Sequence, residues 1–152
     1  MQKRLVDFIK KQYAFTLACT ENDLPWANGL YYVFDEDLKR LIYVTGEQTH
    51  HAKIIMKNPQ VAGTIFVPTR FVPSLQGVQF TGKSKQLYGK EAETAFQLYE
   101  ETYSHQLIRR LSVWEIELEY VRLVDNSLGL FSTIEWKKGQ EVEEEDLSLF
   151  LK

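Results

Sequence analysis

The alternation of apolar and polar residues changes period several times along this chain, and each change marks an element. Leu5, Phe8 and Ile9 fall on one side of a helical wheel with lysine and glutamine opposite, which predicts an amphipathic N-terminal helix. Residues 13–20 (YAFTLACT) then read as a strand, and Glu21-Asn22-Asp23 as a turn. An aromatic-rich second strand is predicted over 26–35, ending at Asp35-Glu36-Asp37, and a third over 40–45. A helix over 49–57 comes next, opened by Thr49 and stopped by Asn58-Pro59. The fourth strand covers 61–67, and Pro68 and Pro73 bracket a loop carrying Arg70. Residues 75–88 alternate again, and Gly82 within them signals a bulge or a close backbone approach. Ala92, Ala95, Phe96 and Tyr99 make an apolar stripe in a helix over 91–103, while 113–124 (VWEIELEYVRLV) alternates as a half-buried strand. Six strands, few helices and frequent turns predict a mainly β, α+β arrangement: a small antiparallel barrel flanked by short helices.

Composition narrows the function more than the fold. A chain of 152 residues that is 44% hydrophobic fits one domain. Its net charge of −3, from 18 basic and 21 acidic residues, excludes a nucleic-acid binder that relies on a broad basic face. The charge is uneven, since 141–146 (EVEEED) holds five carboxylates. We read 1–140 as the domain and 141–152 as an acidic, solvated tail. The apolar flanks of that run, Val142 and Leu147-Ser148-Leu149-Phe150-Leu151, leave docking on a partner subunit open. Cys19 is the only cysteine, so no intramolecular disulfide or cysteine-based metal cluster can form, and it reads as a small buried hydrophobe. The opening MQKRLVDFIKKQ is too polar for a signal peptide and no apolar run approaches a membrane span, so a cytoplasmic location without membrane contact is expected.

The candidate chemistry lies in residues 41–66. A strand ending at Thr45-Gly46 delivers the chain to a helix N-terminus, where unpaired N–H groups and the helix dipole attract an anion. Thr49 is the expected N-cap, and His50, His51 and Lys53 add donors for a phosphate. The histidines are either solvated residues of the first turn or phosphate donors. As donors they would grip a dianion more weakly at pH 8 than at pH 6, because a histidine loses its proton around pH ~6.5. Adjacent histidines project about 100° apart on a helix and only His105 could join them, so no metal site is expected. Trp26, Trp114 and Trp136 suit either a flat ligand or a core or subunit interface. Arg70, Lys83 and Arg109-Arg110 stay open between surface and site, and no spacing assembles a Ser-His-Asp or Cys-His arrangement.

The order helix, three strands, helix, three strands resembles the FMN-binding split barrel of the pyridoxamine 5′-phosphate oxidase superfamily. The likeness is carried by residues 43–59, a Y-x-T strand end, a turn, a threonine opening a basic helix and an N-P stop, and by QFTGK at 79–83. The segments WANGLYYVFD and VWEIELEYVRLVDNSLGLF are similar to a small subfamily of uncharacterised bacterial proteins. The resemblance implies a six-stranded antiparallel split β-barrel, a homodimer whose pockets draw on both chains, and FMN at each. It places the FMN phosphate on Thr49, His50 and His51, with the backbone of Thr45-Gly46 beside the ribityl chain and Asn28, Gly29, Gln79 and Lys83 nearer the ring.

Departures from that pattern shape the expected function. Asn28 stands where the phosphate-gripping arginine of the second strand is expected. Arg122-Leu123-Val124-Asp125-Asn126 replaces R-L-H-D-R, keeping the first arginine but losing the histidine and the second arginine. Each charge-assisted hydrogen bond lost costs about 1.5–3 kcal/mol, which argues against pyridoxamine phosphate as substrate. The expectation is an FMN-binding protein, a flavin-dependent oxidoreductase of unknown substrate. The alternative is a non-catalytic barrel that has lost FMN and holds haem, another anionic metabolite or a protein partner.

Overall fold

Two residues in the left-handed region, Asn22 (φ 51°) and Asp23 (φ 61°), make the first hairpin. Their short polar side chains tolerate that conformation, and a two-residue turn of this hand matches the twist of the strands it joins. It links β1 (Ala14–Glu21) to β2 (Leu24–Tyr31), with Leu17 opposite Asn28 and Cys19 opposite Trp26. The computed structural model describes residues 1–140, apart from the side chains of 106 and 107; the segment 141–152, expected as an acidic tail, lies outside the described residues.

The remaining elements are α1 (Lys3–Lys11), β3 (Val33–Asp35), β4 (Arg40–Thr45), α2 (His50–Lys57), β5 (Gln60–Val67), β6 (Gln76–Gln86), α3 (Gly89–Thr102), β7 (Ser112–Asp125) and β8 (Thr133–Lys137). All strand pairs are antiparallel, in the order β2-β1-β5-β6-β7-β4-β3. Strand β7 pairs with β6 along its length and divides its other edge, Ser112 to Glu117 against β4 and Tyr120 to Val124 against β8.

The mainly antiparallel sheet with three helices agrees with the expected class, but among the described residues it has eight strands rather than six. The predicted strand 26–35 is broken at Tyr32, which turns inward, is 2% exposed and donates its hydroxyl to the Ile9 carbonyl at 2.6 Å. The residues beyond the break form β3, which pairs with β4. The eighth strand, β8, is short and covers the second half of β7 with Ile134 and Trp136 buried.

The barrel interior is filled by Phe15, Leu17, Tyr43, Phe80, Trp114 and Ile116, with Tyr43 stacked on Trp114 at 6.2 Å. The predicted face of α1, Leu5, Phe8 and Ile9, closes one end, and Arg4 anchors it by donating to Asp125 at 2.9 Å. Outside the barrel, α3 lays Ala95 and Tyr99 on Ile42, Val44 and Val113. Gly82 is where β6 shifts register against β7, the expected bulge, and a Cβ there would stand 2.4 Å from the Glu117 carbonyl oxygen. Among the described residues no helix is long and apolar enough to cross a membrane.

Candidate functional site

Strand β4 ends at Thr45, and shortly after it Thr49 opens α2. The Thr49 hydroxyl accepts from the Ala52 N–H at 3.3 Å and donates to the Gly46 carbonyl at 2.9 Å. The same threonine thus caps the helix and closes the turn. The first-turn N–H groups of His50 and His51 meet no acceptor among the described residues. This is the exposed donor pair of a helix start, available to an anion.

The two histidines have different surroundings. His51 is 8% exposed and points inward, with Nε2 2.8 Å from the Thr45 hydroxyl and 3.2 Å from that of Thr49. Because Thr49 commits its hydroxyl hydrogen to Gly46, Nε2–H is the donor in that contact, which assigns the neutral tautomer from the network. Burial, then the charge of His50, pushes the His51 pKa below its ordinary value. His51 therefore positions the threonines and is not turned toward solvent as a phosphate donor, nor does its Nε2 offer a lone pair to an iron. His50 is exposed, and its ring meets Trp26 edge-on with centroids 4.6 Å apart.

A stability prediction comes from His51. Its folded pKa lies below the unfolded value of ~6.5, so its contribution is complete above that pH and is lost as pH falls through it. We expect urea midpoints of the native protein to drop between pH 7.5 and 5.0 by more than those of His51→Gln. Equal drops would remove His51 from the acid response.

Asn28 sits on the face of β2 that carries Trp26, two residues further along the strand. Its Oδ1 is buried without a hydrogen-bond partner. An orphan acceptor of this kind costs roughly 1–3 kcal/mol unless a ligand donor meets it, and a ribityl hydroxyl is such a donor. Thr45, Gly46, Thr49, His50 and His51 are thus brought together, with Asn28 on the strand beside them. Gly29 points to the opposite face of β2, next to Thr16. Gln79 is exposed on the outside of β6 between Thr64 and Arg122. Lys83 lies opposite Gln60, at the far end of α2, about 12 Å of helix from Thr49. Within one chain neither joins the cluster.

Asn126, which stands where the resemblance expects a second arginine, is 6% exposed and is tied into the fold. Its Nδ2 donates to the Val72 carbonyl at 2.8 Å, and its Oδ1 accepts from the Phe131 N–H at 2.9 Å. Sequence reading passed over Glu47, which accepts from Gln86 at 2.7 Å and from Ser112 at 3.1 Å. Those bonds hold its carboxyl below the usual range. An acidic residue in the turn before an N-cap was the only available signal. Among the described residues no three His, Cys, Asp or Glu are placed to hold a metal.

Residues 1–125 match the family described as pyridoxamine 5′-phosphate oxidase. The chain belongs to that family. Within it, a UPF0306 protein of Pasteurella multocida (strain Pm70) is 73% identical over 146 residues, covering 96% of this chain and 98% of the relative. Solved structures share the fold at much lower identity. A FAD-binding protein from Mesorhizobium loti superposes with TM-score 0.64 at 15% identity, over 81% of this chain and 94% of its own. A haem-binding protein from Mycobacterium smegmatis gives TM-score 0.64 at 18% identity, over 83% of this chain and 53% of its own. The mainly antiparallel sheet described above is thus the split barrel of the pyridoxamine 5′-phosphate oxidase family.

Proposed function

We propose that this member of the pyridoxamine 5′-phosphate oxidase family binds FMN by its phosphate at the start of α2 and acts as a flavin-dependent oxidoreductase. The observation that carries the reading is the pair of unpaired N–H groups of His50 and His51 on a threonine-capped helix. The buried, partnerless Asn28 Oδ1 on the strand alongside adds an acceptor for the ribityl chain. His50 would add a charge-assisted contact to the phosphate, His51 would hold Thr45 and Thr49 in place, and Glu47 would fix the turn. When bound, FMN supplies hydride or single-electron transfer, and the chain supplies binding and orientation. The fold shared with a FAD-binding protein supports a flavin. The haem reading has the other neighbour's fold behind it, but the inward turn of His51 removes one of its two axial candidates.

A homodimer completes the proposal. The outer face of β1, β5 and β6 carries Thr16, Ala18, Ala62, Thr64 and Thr81, small and uncharged, with Phe66 57% exposed at its border. A second copy seated on this face would cover Phe66 and bring further groups, such as Gln79 and Arg122, toward a shared pocket.

The test is an FMN titration of the dimer fraction, isolated by sedimentation, following flavin fluorescence at pH 6 and pH 8. We expect quenching with micromolar affinity or better, stronger at pH 6, with the pH difference abolished in His50→Gln. No quenching at either pH would overturn the reading, and a Soret band on haem addition would replace it.

A further inference from the structure

Trp26 is out of keeping with its place in the sheet. It stands opposite Cys19, on the face of β2 that continues the barrel lining of β1. On that face Cys19 is 4% exposed and Leu17, opposite Asn28, is fully buried, yet the Trp26 indole is 46% exposed. The other two tryptophans, Trp114 and Trp136, lie in the core. A large apolar ring left half in water gives up burial that would stabilise the fold. Among the described residues the one ring it meets is the His50 imidazole, edge-on at 4.6 Å.

An exposed histidine in the first turn of a helix has several rotamers open to it, and it loses that freedom when it grips a ligand. The edge-on contact selects one of them beforehand. Placement matters as much as strength. Asn28, where the phosphate-gripping arginine of the family is missing, is two residues along on the same face, about 7 Å away. With no guanidinium there and His51 turned inward, His50 is the first-turn side chain left to reach a phosphate on the unpaired N–H groups. Few charged groups surround its ring. His51 is buried beside it, Lys53 follows one turn on along α2, and Glu47 in the preceding turn is bound to Gln86 and Ser112. On β2 the same face carries Leu24, Trp26 and Asn28, none of them charged.

We propose that Trp26 is a positioning residue for the flavin phosphate: its indole braces the His50 ring at the start of α2, and through that ring does what the absent arginine would do. The inference rests on the flavin reading for its ligand.

The test is a double-mutant cycle on the full-length protein, titrating FMN and riboflavin, which lacks the phosphate, at pH 6 and pH 8 by flavin fluorescence. We expect Trp26→Ala to weaken FMN by about three- to tenfold at pH 6, the worth of an aromatic pair, and to remove most of the difference between the two pH values. Trp26→Phe, which keeps an aromatic edge, should restore both. Adding Trp26→Ala to His50→Gln should weaken FMN no further, and riboflavin should bind every variant alike. Urea midpoints check the fold, and Trp26→Leu, which keeps the bulk without the ring, serves if Trp26→Ala does not fold. Losses that add in the double variant would overturn the proposal. So would an unchanged pH profile in Trp26→Ala, or equal losses for FMN and riboflavin, which would make Trp26 a wall and not a brace. Native protein that binds no FMN would remove the flavin reading. Inorganic phosphate, followed by calorimetry, is then the probe: the same non-additivity would sustain the brace, and additive losses or no binding would overturn it.

Discussion

Asn28→Arg is expected to tighten FMN binding by about 10- to 150-fold, the effect of one charge-assisted hydrogen bond at roughly 1.5–3 kcal/mol. The strand position already faces the right way. Asn28 shares a face of β2 with Trp26, whose indole touches His50 at the start of α2. At present that position presents an amide whose Oδ1 has no partner, so little is lost by replacing it. A guanidinium beside the positive end of a helix dipole has no counter-charge until an anion arrives. The free variant should therefore melt lower than the native protein and recover, or exceed it, with FMN present. Flavin titration at two salt concentrations measures this, with steeper salt dependence expected for the variant. An FMN affinity equal to that of the native protein would show that Asn28 does not face the phosphate.

The second large effect concerns folding. Gly63→Ala should cost about 3 kcal/mol or more, because its Cβ would stand 2.3 Å from the Phe80 ring and 2.5 Å from the Thr16 carbonyl oxygen. A ring can rotate, but the carbonyl belongs to the β1 backbone, held on its other edge by β2. Strand β5 approaches β1 this closely only because residue 63 lacks a side chain. For a domain of this size the loss corresponds to a melting temperature lower by roughly 6–12 °C. Gly29→Ala is the matched control, since its added methyl meets nothing within 4 Å. A Gly63→Ala protein that melts with the control would mean that the two strands part without penalty.

Much of the fold was legible because local pattern and final environment agree. The apolar stripe of α1, the hairpin at Asn22-Asp23, the Thr49 cap and the Gly82 bulge are each dictated by residues within a few positions. The break at Tyr32 was not legible, since Tyr31 and Tyr32 both favour strand and only the distant Ile9 carbonyl turns the second inward. Strand β8 escaped for a similar reason, being five residues long and defined by its partner β7. At the site, the helix start was visible in sequence, but the different fates of two adjacent histidines were not. A pattern cannot say which imidazole finds Thr45. Lys83 was assigned by resemblance, and its place at the far end of α2 depends on a chain reversal that no local signal encodes.

The ion pair between Arg4 and Asp125 joins residues 121 positions apart, and biosynthesis feels that separation. The helix α1 leaves the ribosome before every strand of the sheet, and the carboxylate that fastens it is made only when β7 is complete. Between the two events β1, β2 and β5 emerge with open edges, and β4 waits for β7. At about 5–20 residues per second, that interval lasts roughly 6–25 seconds. For that time β4 has only one of its two partners and α1 lacks its fastening, so the exposure of the nascent barrel depends on where residue 125 falls in the message.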